Sequence, residues 1–98
     1  MRTMLVIHMD TQKASRMIDN NEMAQFMQSA LERLRPEAAY FGPHGGARTA
    51  FVVIDLEEPS QLPSITEPFF SQLGATIEMF PVMTADDVRT GLQQLASS

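Results

Sequence analysis

The chain has 98 residues and no cysteine, with 12 acidic against 7 basic side chains and a formal charge of −5. The missing thiols exclude disulfides, thiolate nucleophiles and zinc–thiolate centres. The negative charge, with its few cations scattered, repels phosphate backbones, so no nucleic-acid partner is expected.

Hydrophobic residues make up 44% of the chain and charged residues 19%, the balance of a globular protein rather than a disordered one. At this length residues 1–98 read as one domain. No run approaches the roughly 20 apolar residues that cross a bilayer, so no membrane partner is expected. The amino terminus enters a strand-like run at once, Thr3-Met4-Leu5-Val6-Ile7, without the apolar stretch and small-residue cleavage site of a leader. A cytoplasmic location is the expectation.

Thr3 to Met9 reads as a buried strand. Asp10 to Asp19 is polar and is expected to form a loop or a partial helical turn. Met23, Phe26, Met27, Ala30, Leu31 and Leu34 then recur at steps of three and four, the stripe of an amphipathic helix. Asp19 and Glu22 have the spacing of a capping box for it, and Pro36 stops it. Ala38 to Gly42 reads as a second strand, Pro43-His44-Gly45-Gly46 as a turn, and Thr49 to Leu56 as the strongest strand. Glu57-Glu58-Pro59-Ser60 breaks it.

Leu62, Ile65, Phe69 and Leu73 mark a second helix that Gly74 closes, with Pro68 expected to kink or split it. Ala75 to Val82 reads as a fourth strand. Thr84, with Asp87 three positions on, starts a short third helix bearing Val88, Leu92 and Leu95.

The order β-α-β-β-α-β-α specifies an α+β fold, a ferredoxin-like βαββαβ sandwich with a short C-terminal helix. Right-handed crossovers give one antiparallel sheet, in the spatial order fourth, first, third, second strand, with both main helices on one side. Alternation divides the strands into two faces. Leu5, Ile7, Met9, Val52, Ile54, Leu56, Ile77 and Met79 form a uniformly apolar face for the helices. Met4, Val6, His8, Tyr40, Thr49, Phe51, Val53, Asp55, Glu78 and Phe80 form the other, mixed yet too apolar to be left in water. Apolar patches above a few hundred Å² mark interfaces, so the expected partner is a second copy of the chain, sheet against sheet.

Register then places His8 near the start of the third and fourth strands. His8, Tyr40 and Glu78 converge on one end of this face and are the candidate catalytic residues. Histidine is the side chain that exchanges protons near neutral pH. Glu78 can orient the ring or itself take a proton, and Tyr40 can donate to a developing oxyanion. His44 in its glycine turn, Thr49 and Phe51 line the same end. Phe70, freed by Pro68, is expected either to turn toward the pocket mouth or to stay in the core. The bland alternative for His8 and Glu78 is a cross-strand polar pair inside a dimer interface.

The stretch Met4-Leu5-Val6-Ile7-His8-Met9-Asp10 resembles the first strand of the muconolactone isomerase family, with His8 where that family has an arginine. Thr49-Ala50-Phe51-Val52-Val53-Ile54-Asp55-Leu56 is similar to its third strand. Arg35-Pro36-Glu37-Ala38-Ala39-Tyr40-Phe41, Arg48-Thr49-Ala50-Phe51 and Glu67-Pro68-Phe69-Phe70 look like segments of short bacterial proteins of the same dimeric α/β-barrel superfamily, which also holds the YCII-related proteins and small cofactor-free monooxygenases. The resemblance implies the fold and the dimer. The reaction stays open, because this scaffold carries unrelated chemistries.

No phosphate loop is present, since Pro43-His44-Gly45-Gly46 lacks the lysine and the following helix. No ligand spacing points to a metal, and no cofactor is expected. The eight methionines read as pliable core filler or, alternatively, as the lining of an apolar ligand cavity. Two functions follow: a cofactor-independent isomerase, lyase or monooxygenase acting on a small carbonyl or aromatic compound, or a non-catalytic dimer that binds a small metabolite or serves as an accessory module.

Overall fold

The structure, a computed structural model, describes residues 1–98. Four strands, β1 (Arg2–His8), β2 (Ala38–His44), β3 (Ala47–Asp55) and β4 (Thr76–Pro81), form one antiparallel sheet in the order β2-β3-β1-β4. Four helices accompany it: α1 (Thr11–Asp19), α2 (Met23–Leu34), α3 (Leu62–Leu73) and α4 (Ala85–Ser97), with a short 3-10 turn at Pro59–Gln61. The order β-α-α-β-β-α-β-α is an α+β arrangement compatible with the ferredoxin-like sandwich, and the sheet stays open at both edges. No helix is long and apolar enough to cross a membrane.

β1 is the keystone because it is hydrogen-bonded on both sides. Leu5 faces Val52 and Met79 in register, and Ile7 faces Ala50 and Ile77. These odd-numbered side chains meet Ala14 and Met17 of α1, Ala30 of α2, and Phe69 and Leu73 of α3 in one core, with Leu5, Ile7 and Leu73 at 1% exposure or less. Phe26 and Phe69 add an edge-to-face contact with ring centres 5.6 Å apart. No buried side-chain polar atom lacks a partner.

Several local expectations need correction. The polar segment after β1 is a full helix, α1, which the Asp10 carboxylate starts by accepting the Lys13 N–H at 3.0 Å. Only Ala14 and Met17 of α1 are buried, so its stripe is too thin to stand out against seven other residues. Asp19 consequently ends α1 instead of capping α2. The two helices are joined through Asn20, Asn21 and Glu22, where Asn21 takes the left-handed φ of 60° that asparagine tolerates.

Pro68 does not split α3, which runs unbroken from Leu62 to Leu73. Its missing N–H frees only the carbonyl one turn back, on exposed Ser64, where water can serve. Gly74 then closes the helix at φ 55°, and a Cβ there would stand 3.0 Å from Lys13 Cδ, so glycine meets both a backbone and a packing demand.

The hairpin between β2 and β3 is also tighter than expected. Gly45 and Gly46, at φ 63° and 78°, form a two-residue turn that only glycine, asparagine or aspartate accept readily. His44 therefore leaves the turn and pairs with Ala47 as the last residue of β2. Pro43 fits in β2 because that strand lies at the sheet edge.

α4 stands away from the body. Every residue of it is exposed, and the radius of gyration is 15.9 Å, against about 13 Å for a compact chain of this length. Its start is nevertheless firmly built. The Thr84 N–H donates to the Asp87 carboxylate at 2.9 Å, and the Asp87 N–H donates to Thr84 Oγ1 at 3.1 Å. Arg2, itself held by Glu37 at 2.8 Å, reaches Asp87 at 3.6 Å.

The Thr84 backbone hydrogen bond, then the Thr84 side chain and the Arg2 charge, hold the Asp87 carboxyl below its ordinary value of 3.8. A depressed carboxylate contributes its stability above the ordinary value and loses it as the pH falls through the folded one. We therefore expect the amides of Thr84, Asp87 and Val88 to lose protection in NMR hydrogen exchange below about pH 3.8, while Asp87→Asn removes that step and leaves the core amides unchanged.

Candidate functional site

The register that buries Leu5 and Ile7 drives Met4, Val6 and His8 to the opposite face of β1. His8 lies between Thr49 of β3 and Thr76 of β4, and Val6 lies between Phe51 and Glu78. Glu78 is thus the diagonal neighbour of His8, close enough for its Oε1 to stand 3.6 Å from His8 Nε2. The His8 side chain is 20% exposed and that of Glu78 68%, so the carboxylate reaches the ring from the solvent side.

Thr49 is the partner of His8 Nδ1. Its hydroxyl belongs to a residue that is 2% exposed, and it lies 3.0 Å from the Ala47 carbonyl, 3.3 Å from that of His44 and 3.1 Å from His8 Nδ1. The ring donates to Thr49 Oγ1 when Nδ1 carries the proton and accepts from it in the Nε2–H form. Nε2 lies on the side of the Glu78 carboxylate, which faces a cation when both ring nitrogens are protonated.

His44 completes the arrangement. Its ring stacks on that of His8 at 5.6 Å with 29° between planes, and meets Phe51 edge to face at 5.5 Å. The structure therefore brings together His8, Glu78, Thr49, His44 and Phe51. Tyr40 pairs directly with Phe51 but stands apart from Glu78. It shares a row with Phe51, Val6 and Glu78, but at the far edge strand, three strand spacings or roughly 14 Å from Glu78, and it is 70% exposed. Phe70 belongs to α3 in the helical layer, across the sheet from His8, because Phe69 is the residue of that pair that enters the core.

The contribution of Thr49 as the partner that orients His8 exceeds the lining role that its sequence position suggests, and only the hairpin geometry reveals it. The stacking of His44 had a readable signal. A two-residue glycine turn extends β2 by two positions, and Tyr40, Gly42 and His44 then alternate on one face. In a single chain this face is open. None of His8, Tyr40 and Glu78 lines any of its principal hollows.

Replacing Thr49 by valine keeps the volume and removes the hydroxyl. We expect the His8 ring ¹⁵N shifts to change in long-range ¹H–¹⁵N correlation spectra as Nδ1 loses its partner, with stability lower by about 1 kcal/mol. An unchanged ¹⁵N pattern would contradict the His8–Thr49 contact. Neither a scan against protein-family models nor a search of the curated proteins gives a match, so the chemistry of this site rests on its own geometry.

Proposed function

We propose that the protein is a homodimer of the dimeric α/β-barrel kind, in which two copies appose their open sheet faces and transfer a proton on a small carbonyl or aromatic compound held between them. The observation that carries this reading is the His8 constellation. A histidine with Nδ1 engaged by Thr49 and Nε2 turned toward Glu78 stands on a face otherwise lined by Met4, Val6, Phe51, Val53 and Phe80.

A second copy is the occupant this face calls for. None of the principal hollows of one chain is lined by His8 or Glu78, so a small molecule alone finds no enclosure against them. Phe80 is 43% exposed, and Val88, Leu92 and Leu95 of α4 are 40%, 59% and 70% exposed, so two apolar surfaces lack a cover. A two-fold interface matches each of them to the same chain's counterpart.

In this reading His8 Nε2 removes a proton from the carbon beside the substrate carbonyl, Glu78 stabilises the resulting imidazolium, and the same ring returns the proton to a different carbon. The separation between Tyr40 and Glu78 within one chain favours a second reading, a dimer that binds a metabolite without turning it over.

Sedimentation velocity tests the assembly. The wild type is expected at twice the 10.9 kDa chain mass, and Phe80→Glu at the chain mass itself. Deuterium exchange tests the chemistry. In D2O, wild-type protein should exchange the α-protons of small aryl ketones and 2-oxo acids at least about 10²-fold faster than His8→Ala. Equal rates in a dimer would leave the binding reading, and a monomeric wild type would end both.

A further inference from the structure

The helical layer does not cover the whole core side of the sheet. Phe41 lies in the row of Ala50, Ile7 and Ile77, on the side that faces the helices. Ile7 and Ala50 are 0% and 2% exposed, yet Phe41 is 53% exposed. Alternation predicts burial for Phe41, and the neighbouring alanine leaves its ring without a partner.

The uncovered space is a groove of about 380 Å³ between the α1–α2 elbow and the β2–β3 hairpin. Ile18, Met23 and Met27 form its helical wall, Phe41 and Pro43 its strand wall, and Met9 its floor. That volume lies within the range of about 300–1,000 Å³ typical of small-molecule sites. Two separate elements bound it, as a ligand site requires, rather than one flat patch. Methionine walls adapt to the shape of an apolar guest at little cost, because the thioether chain is unbranched and polarisable.

One charged residue borders the groove. Arg48 is exposed, belongs to none of the ion pairs of the molecule, and no aspartate or glutamate lines the groove with it. An apolar trough with a single unpaired guanidinium at its rim fits a molecule with an apolar body and one anionic oxygen pair, which the planar fork of arginine can bind in bidentate fashion.

We propose that this groove binds a medium-chain or aryl-alkyl monocarboxylate, with its carbon chain against Met23, Met27 and Phe41 and its carboxylate on Arg48. The site lies on the opposite side of the sheet from Glu78 and stands independently of the function proposed for His8. Filling it completes the core row that Phe41 leaves open.

The probe is octanoate, with octanol as its uncharged counterpart, titrated into the full chain with methionine methyl groups observed by NMR. Octanoate should shift the Met23 and Met27 methyl signals saturably and bind about tenfold more tightly than octanol, the ratio expected for one charge-assisted contact. Arg48→Gln, at an exposed position, should bring octanoate down to the octanol affinity, and Met27→Trp should abolish saturation for both. Equal affinity for the two probes, or no effect of Arg48→Gln, overturns carboxylate recognition. Shifts of the same methyl groups that follow protein concentration and not octanoate would assign the groove to a second copy and overturn the proposal. Where Met27→Trp fails to fold, the Arg48→Gln comparison decides alone.

Discussion

The alternation of side chains along β1 is the constraint on which the rest of the molecule depends. This strand is paired on both flanks, so its register is set twice, by Leu5 and Ile7 against β3 and against β4. A slip of one residue would carry Leu5 and Ile7 out of the core and His8 into it, exchanging a close-packed apolar row for an ionisable ring. The burial of the odd-numbered residues and the presentation of His8 on the open face are therefore one event. The end of the strand is fastened as well. Met9 N–H donates to the Arg48 carbonyl and Asp10 N–H to that of Leu73, which holds the residue after His8 to the hairpin and the residue beyond it to α3.

A second, local constraint supplies the chemistry around that ring. Gly45 and Gly46 close the hairpin in two residues, which fixes the β2–β3 register and puts His44 over His8 and Thr49 beside it. The hydroxyl of Thr49 then lies within hydrogen-bonding distance of both His8 Nδ1 and the hairpin's carbonyls. A loop of three or four residues would have left His44 outside the strand and would have altered those carbonyls together. The surroundings of His8 Nδ1 are thus set by the backbone of a turn four residues away from the threonine that contacts it.

The strands were legible in the sequence because short apolar and β-branched runs are bounded by turn and cap signals, their order followed from right-handed crossovers, and alternation then divided them into two faces. What escaped reading depended on weaker signals. α1 buries only two residues, so a polar composition hid its helical period. Pro68 reads as a breaker, but the carbonyl it orphans is on exposed Ser64, and a proline is tolerated where water can replace the lost bond. Tyr40 shares the face of His8, yet alternation says which face a residue takes and nothing about how many strands lie between two residues on it. That count separates Tyr40 from Glu78 across the full width of the sheet.

The surfaces that remain uncovered differ in kind, and the difference says what each requires. The open sheet face is broad and shallow, and its apolar side chains are spread over three strands, so only another extended surface can take their water away together. The groove at Phe41 is narrow and bounded by two layers, so a second protein surface would have to insert a single side chain to reach its floor, whereas a flexible carbon chain enters as it is. The exposed stripe of α4 is a third case. A lone helix of 13 residues is marginal in water, and its capping box and the Arg2 contact secure only the first turn, leaving Leu92 and Leu95 to be stabilised by whatever the stripe meets. A domain of about 100 residues buries only some 60–65% of its unfolded surface, and here seven of the ten exposed large apolar side chains lie at these three places, which is what separates sites for association from the ordinary apolar background of a protein surface.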